Sequence, residues 1–231
     1  MNERAWERVG ATSGLAAAVL LLASLFLNPS APTGEEPVLT FFYVAANRVT
    51  VLLAALFGTL AAVVFLWFVG HLRHLLQRAE GGAEAFSPVV FAAGVVLSTT
   101  TLLSMLPVIA LASMSRDVTT ASQSSVFVLS ELHRLSLGPI GLLVALFAST
   151  TGAAMVRREL LAPWVGWFGF VVALIGLIAG VTAFFLTGPF VVVAAMVTGV
   201  VFAVWIGDAA VLMLYRPEVD RVRTPGTAFA H

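Results

Sequence analysis

The sequence contains no cysteine, which excludes disulfides, thiolate metal sites and a cysteine nucleophile. It contains no lysine either, so every basic residue except histidine is an arginine. That removes a retinal Schiff base and any other lysine-centred chemistry. Charge of both signs is scarce. Only 10% of the 231 residues are charged, where soluble domains have about 25%, and the formal net charge is +0. No excess of cations is available for nucleic-acid phosphates, so no nucleic-acid partner is expected. The chain also lacks a Walker loop, a His-Glu-x-x-His helix and a Gly-x-Ser-x-Gly elbow.

Apolar sequence is abundant: 60% of residues are hydrophobic and the mean hydropathy is +1.01. Runs long enough to cross a bilayer core of about 30 Å, which takes about 20 helical residues, recur six times. The reading is an all-α membrane protein, a six-transmembrane-helix bundle over residues 1–215 with a polar cytoplasmic tail over 216–231. The spans are expected near 9–28, 46–70, 87–113, 139–157, 163–187 and 190–214. The first, preceded by "MNERAWERVG", reads as a retained signal anchor.

Arginine placement orients the bundle. With the N-terminus inside, Arg4, Arg8, Arg73, Arg78, Arg157, Arg158, Arg216, Arg221 and Arg223 are cytoplasmic, and only Arg48, Arg116 and Arg134 are outside. This asymmetry follows the positive-inside rule, so both termini are expected inside a bacterial inner (plasma) membrane. Trp6, Trp67, Trp164, Trp167 and Trp205 are all expected near the inner interface. "PSAPTGEEP" reads as an external loop and "TGP" at 187–189 as a tight external turn. In "AEGGAEAFSP", Ser87 is the expected N-cap of span three, with Pro88 at its first position.

"SELHRLSLGP" (130–139) concentrates polar groups ahead of span four. Pro139 lacks an N–H and crowds the carbonyl of Leu135, so a kink or break is expected there, with "SVFVLSELHRLS" as a helical extension at the headgroup level. Glu131 and Arg134 share a helix face and can pair. Arg48, at the outer end of span two, is expected to reach the same region and clamp spans two and four through Glu131. Arg48, Glu131, His133 and Arg134 are then expected to form an outward-facing pocket with excess positive charge, suited to a carboxylate or a lipid phosphate.

Three further features stand out. Asp208 lies roughly 27 Å from the outer end of span six at 1.5 Å per residue, near the level of His71 and Arg73, and is a possible proton or ion site. Ser98, Thr101 and Ser104 make a polar stripe on span three that could line a cavity beside the Pro107 kink. Small residues recur every four positions at Ala195, Gly199, Ala203 and Gly207, at Gly176 and Gly180, and at Gly141 and Ala145. They predict a tight sub-bundle of spans four to six. His71 and His74 share a face, but a bis-His haem needs ligands on facing helices at one depth, and His133 lies near the opposite membrane face. No metal or other cofactor is expected. "SPVVFAAGVV" and "GPFVVVAAMV" faintly echo one another, as an inverted three-plus-three repeat would require.

Asn47–Arg48, Phe65–Trp67–Phe68, Arg78–Glu80–Gly81 and Pro163–Trp164–Gly166–Trp167 together make a pattern that covers most of the chain. It resembles a broad family of uncharacterised six-span actinobacterial integral membrane proteins, a domain of unknown function. The resemblance implies the architecture and no activity. The expected function is a non-enzymatic binding or accessory module. Its expected partners are membrane lipids, a lipid or small anionic ligand, and a membrane partner subunit or second copy. The alternative is a small secondary transporter using Asp208 and the kinked spans three and four. A lipid-modifying enzyme would need a nucleophile or metal beside His133 or His71.

Overall fold

A computed structural model describes residues 3–27, 37–81, 85–115, 122–158 and 160–215, apart from the side chains of residues 3–7 and Pro37. Most of the expected external loop, Arg116 and the tail 216–231 fall outside the described residues. Every regular element among those residues is a helix: α1 (Glu3–Leu27), α2 (Pro37–Ala46), α3 (Arg48–Glu80), α4 (Ser87–Met114), α5 (Gln123–Arg158), α6 (Pro163–Phe185) and α7 (Pro189–Tyr215). All but α2 are long and apolar enough to cross a membrane.

The six long helices close into a ring. Each packs on its neighbour in sequence, and α7 returns to α1. Successive long helices run antiparallel. One end of the ring therefore gathers the start of α3, the end of α4, the start of α5 and the end of α6. The other end gathers Glu80 and the start of α4.

The element absent from the expected list is α2. It is ten residues, mostly apolar, too short to span and bounded by Pro37 and Asn47. Asn47 sits at φ −111°, ψ 24°, outside helical geometry, and its side-chain amide donates to the Tyr43 carbonyl at 3.0 Å. The chain pivots there, and α2 folds over the ring against α5, α3 and α4, with Phe41 and Val44 buried beside Val51, Leu111, Ala112 and Val126.

Pro139 does not break its helix. α5 is continuous over 36 residues, about 54 Å at 1.5 Å per residue. A missing N–H removes one helix bond and leaves the flanking ones to carry the geometry. The extension through Glu131 and His133 is accordingly continuous with the span.

The tightest seam joins α5 to α6. A Cβ on Gly141 would stand 2.7 Å from the Gly180 backbone and 2.8 Å from the Gly176 carbonyl oxygen. One on Gly152 would stand 2.7 Å from the Gly166 carbonyl oxygen. Lipid offers no hydrophobic drive between helices, so close backbone approach is what holds such a pair. The expected sub-bundle is corrected on one point. Gly199 faces Leu25 and Gly207 faces Ala18, so part of the small-residue row of α7 receives α1. Trp205 is fully buried within the bundle and donates its indole N–H to the Val165 carbonyl at 2.9 Å, near the start of α6. Trp67, Trp164 and Trp167 are exposed.

The two charged ends of α3 hold the two ends of α4. Arg48 Nε donates to the Ala112 carbonyl at 2.9 Å, one of the last four carbonyls of α4, which have no partner within the helix. Glu80, 5% exposed, accepts the backbone N–H of Phe86 at 2.6 Å and of Ser87 at 3.4 Å. A cation at the C-terminus and an anion at the N-terminus both complement the α4 dipole. Ser87 therefore does not cap α4 with its own hydroxyl; the acid of the preceding helix does. Gly81 makes this possible by ending α3 at φ 63°, where residues with a Cβ are disfavoured. Glu80→Ala should cost about 1–3 kcal/mol by leaving buried N–H donors unmet, read as a lower thermal midpoint in detergent. An unchanged midpoint would show that water replaces the carboxylate.

Candidate functional site

The ring encloses a cavity of about 350 Å³ to which all seven helices contribute. That volume is within the range of small-molecule sites, about 300–1,000 Å³. Its walls are mainly apolar, among them Leu21, Ala61, Leu97, Val144 and Met196. Its floor is aromatic. Phe65 and Phe202 line it with ring centroids 5.7 Å apart, and Phe147 packs edge-on to both at 5.3 and 6.1 Å. Trp205 lies against Phe147 and Phe202, each at 6.2 Å. These rings come from α3, α5 and α7, alternate helices of the ring, and meet across its middle.

Polar groups gather near the α2 end. Thr40 and Tyr43 of α2, Ser104 of α4, and Ser130, His133 and Arg134 of α5 all line the cavity. His133 Nδ1 is 2.9 Å from the Ser104 carbonyl oxygen. A carbonyl only accepts, so Nδ1 carries the proton, and in the neutral ring Nε2 is an acceptor. Ser104 is next to Leu103, whose carbonyl is freed by Pro107, so the α5 imidazole docks at the proline irregularity of α4.

The expected four-residue cluster comes together in part. Arg134 pairs with Glu131 on its own helix through Nε, at 2.8 Å, and through Nη2. Its Nη1 reaches the Leu186 carbonyl at 3.4 Å. Arg48 makes no ion pair with Glu131; its guanidinium is at the end of α4. The cross-helix clamp is thus corrected: the extension of α5 is tied to the end of α6, and α3 is tied to α4. Arg48 and Glu131 are not among the lining residues, whereas His133 and Arg134 are. The expected excess of positive charge disappears with this arrangement, since Glu131 balances Arg134.

Ser98, Thr101 and Ser104 do line the cavity. Thr101 bonds back to the Leu97 carbonyl at 2.8 Å and Ser104 to the Thr101 carbonyl at 2.7 Å. Ser98, 1% exposed, has a buried hydroxyl with no hydrogen-bond partner. Asp208 is half-buried near the level of Phe68, since Gly14 stands between Phe68 and Ala210. It is not among the cavity residues. His71 packs its ring on Gly10 of α1, and His74 is exposed. Among the described residues no three His, Asp or Glu side chains stand close enough to hold a metal ion.

Sequence reasoning missed Thr40, Tyr43 and Ser24 as lining residues. The only signal for the first two was the apolar stretch "VLTFFYVAA" between Pro37 and Asn47, too short to register as a span. No family model, curated protein or solved structure matches the chain.

Proposed function

We propose that this protein is a non-enzymatic membrane binding module that holds a small amphiphile in the central cavity. The carrying observation is the combination of a mainly apolar chamber, an aromatic floor and a polar rim at Tyr43, His133 and Arg134. Because Glu131 neutralises Arg134, the rim favours a neutral polar head over the carboxylate or phosphate that the sequence invited. Membership of the six-span actinobacterial family belongs to this proposal too. Its support is the sequence pattern through Asn47–Arg48, Arg78–Glu80–Gly81 and Pro163–Trp164–Gly166–Trp167.

The test is native mass spectrometry of protein extracted gently from its membrane. A retained small molecule is expected on the wild type and should be lost from Ala61→Phe, which fills the chamber. No retained mass, or one indifferent to Ala61→Phe, overturns the reading. Orientation is part of the same proposal: the arginine asymmetry puts both termini in the cytoplasm and the cavity rim outside. Since the chain has no native cysteine, Phe185→Cys should label with an impermeant maleimide from outside and Arg158→Cys should not; the reverse pattern inverts the topology.

The transporter alternative is supported by Pro107 beside the chamber and by Pro139 in α5, but Asp208 lies off the cavity. It requires Asp208→Asn to abolish uptake in proteoliposomes, whereas the binding reading expects retention of the small molecule to be unchanged by that substitution.

A further inference from the structure

The polar groups that reach the chamber have given their hydrogens to the chain itself. Ser24 of α1, Thr101 of α4 and Ser130 of α5 are half-buried hydroxyls in its wall. Each donates to a backbone carbonyl at 2.8 Å, that of Ala54, Leu97 and Val126 respectively. His133 spends its Nδ1 hydrogen on the Ser104 carbonyl. Arg134 turns Nε and Nη2 to Glu131 and Nη1 to the Leu186 carbonyl. Thr40 and Tyr43 of α2 also have interactions within the chain. Ser98, Ser104 and Thr198 are buried and offer the chamber little. A hydroxyl that has given its one hydrogen keeps its lone pairs, and the second nitrogen of a neutral imidazole keeps one too. What remains toward the chamber is therefore mainly accepting.

The strongest of these acceptors is His133 Nε2. The buried side-chain atoms without a partner among the described residues are Arg73 Nε, Ser87 Oγ, Ser98 Oγ and Thr151 Oγ1. His133 Nε2 has no partner there either, yet it is not one of those buried atoms, so it keeps open surface. That surface faces the chamber. Ser130, His133, Leu137, Ile140 and Val144 follow one another three or four residues apart, which places them on one face of α5, and all of them line the cavity.

We infer that the chamber selects an amphiphile whose head donates a hydrogen bond, a neutral alcohol, and that His133 Nε2 is the atom that receives it. This rests on the cavity being a binding site and adds the chemical class that the site takes. An ether of the same shape brings only an acceptor to a wall of acceptors. Its oxygen leaves water without gaining a partner, which is costly. His133 is thus the specificity contact, held in place by the Ser104 carbonyl on the far side of its ring.

The experiment offers the full chain in detergent two probes in equal amounts at about pH 8, above the ordinary imidazole range. They are octanol and its isomer heptyl methyl ether, told apart by deuterium in the methyl group. The amounts retained are read by native mass spectrometry, with Ala61→Phe, whose chamber is filled, as the background. The wild type should hold octanol about tenfold over the ether, the worth of one hydrogen bond. His133→Leu should remove most of that preference and leave retention of the ether unchanged. His133→Gln should keep it, because its amide can donate to the Ser104 carbonyl and still present an oxygen. Equal retention by the wild type overturns donor selection, whether or not His133→Leu assembles. A preference for the ether overturns it too, by showing that Arg134 or Tyr43 donates into the chamber. A preference for octanol that survives His133→Leu overturns the role of His133. The cavity reading itself fails only if the wild type retains both probes no better than Ala61→Phe does.

Discussion

Gly141→Val should prevent the bundle from surviving extraction, with the protein lost to aggregate in a size-exclusion trace. The reason lies in what a new side chain would meet. The first added carbon stands 2.7 Å from the Gly180 Cα and N and 2.8 Å from the Gly176 carbonyl oxygen. All three are backbone atoms of another helix, so no rotamer change relieves the clash. The helices must separate, and separation opens every close approach along the seam, including Gly152 against the Gly166 carbonyl oxygen. Overpacking a core costs about 1–3 kcal/mol where side chains can shift, and here they cannot. Gly141→Ala should be intermediate. Gly70→Ala is the control, because a Cβ there meets nothing within 4 Å, and replacing a helical glycine should gain up to about 1 kcal/mol. If Gly141→Val matched Gly70→Ala in yield and thermal midpoint, α5 and α6 would not pack through their backbones.

Trp205→Ala should be nearly as severe and should change the cavity as well as the stability. The side chain is 1% exposed, packs on Phe147 and Phe202 at 6.2 Å each, and joins α7 to α6 through the Val165 carbonyl. Deleting a buried Trp or Phe costs about 3–5 kcal/mol, part of it for the void left behind. The void would lie under the rings that floor the chamber, so the variant should retain bulkier small molecules in native mass spectrometry. Trp205→Phe keeps a ring and loses the N–H, so it should cost about 1 kcal/mol and leave the retained mass unchanged. A Trp205→Ala protein with the wild-type midpoint and ligand profile would show that Phe65, Phe147 and Phe202 close the floor without it.

Parts of the site were legible beforehand for a definite reason. Glu131 and Arg134 pair on one helix, and helical spacing alone puts them together. Ser98, Thr101 and Ser104 fall on the cavity because a polar group in a buried segment of a span faces protein more readily than lipid. Arg48 was misassigned because two cations and an acid near one membrane face look like a cluster in one dimension. Which carbonyl or carboxylate each meets depends on the rotation and offset of its helix. Glu80 was quoted as part of a pattern and given no role, since its partners are the N–H groups of a different helix, which no side-chain motif records.

The sequence by itself determined the six spans and the absence of lysine and cysteine chemistry, because composition and hydropathy are sums over neighbouring residues and need no knowledge of the partner helix. It also determined that α5 and α6 would come close, since glycine every four residues clears one face of a helix whatever lies opposite. Only the tertiary structure decided that the ring closes α7 onto α1, that α2 covers one end, that four aromatic rings meet across the middle, and that a chamber is left above them with Ser98 unpaired. Those outcomes depend on how far each helix is rotated about its axis. That rotation is fixed by contacts between residues distant in sequence, such as the backbone approach of Gly141 to Gly180 and the Arg48 guanidinium on the Ala112 carbonyl.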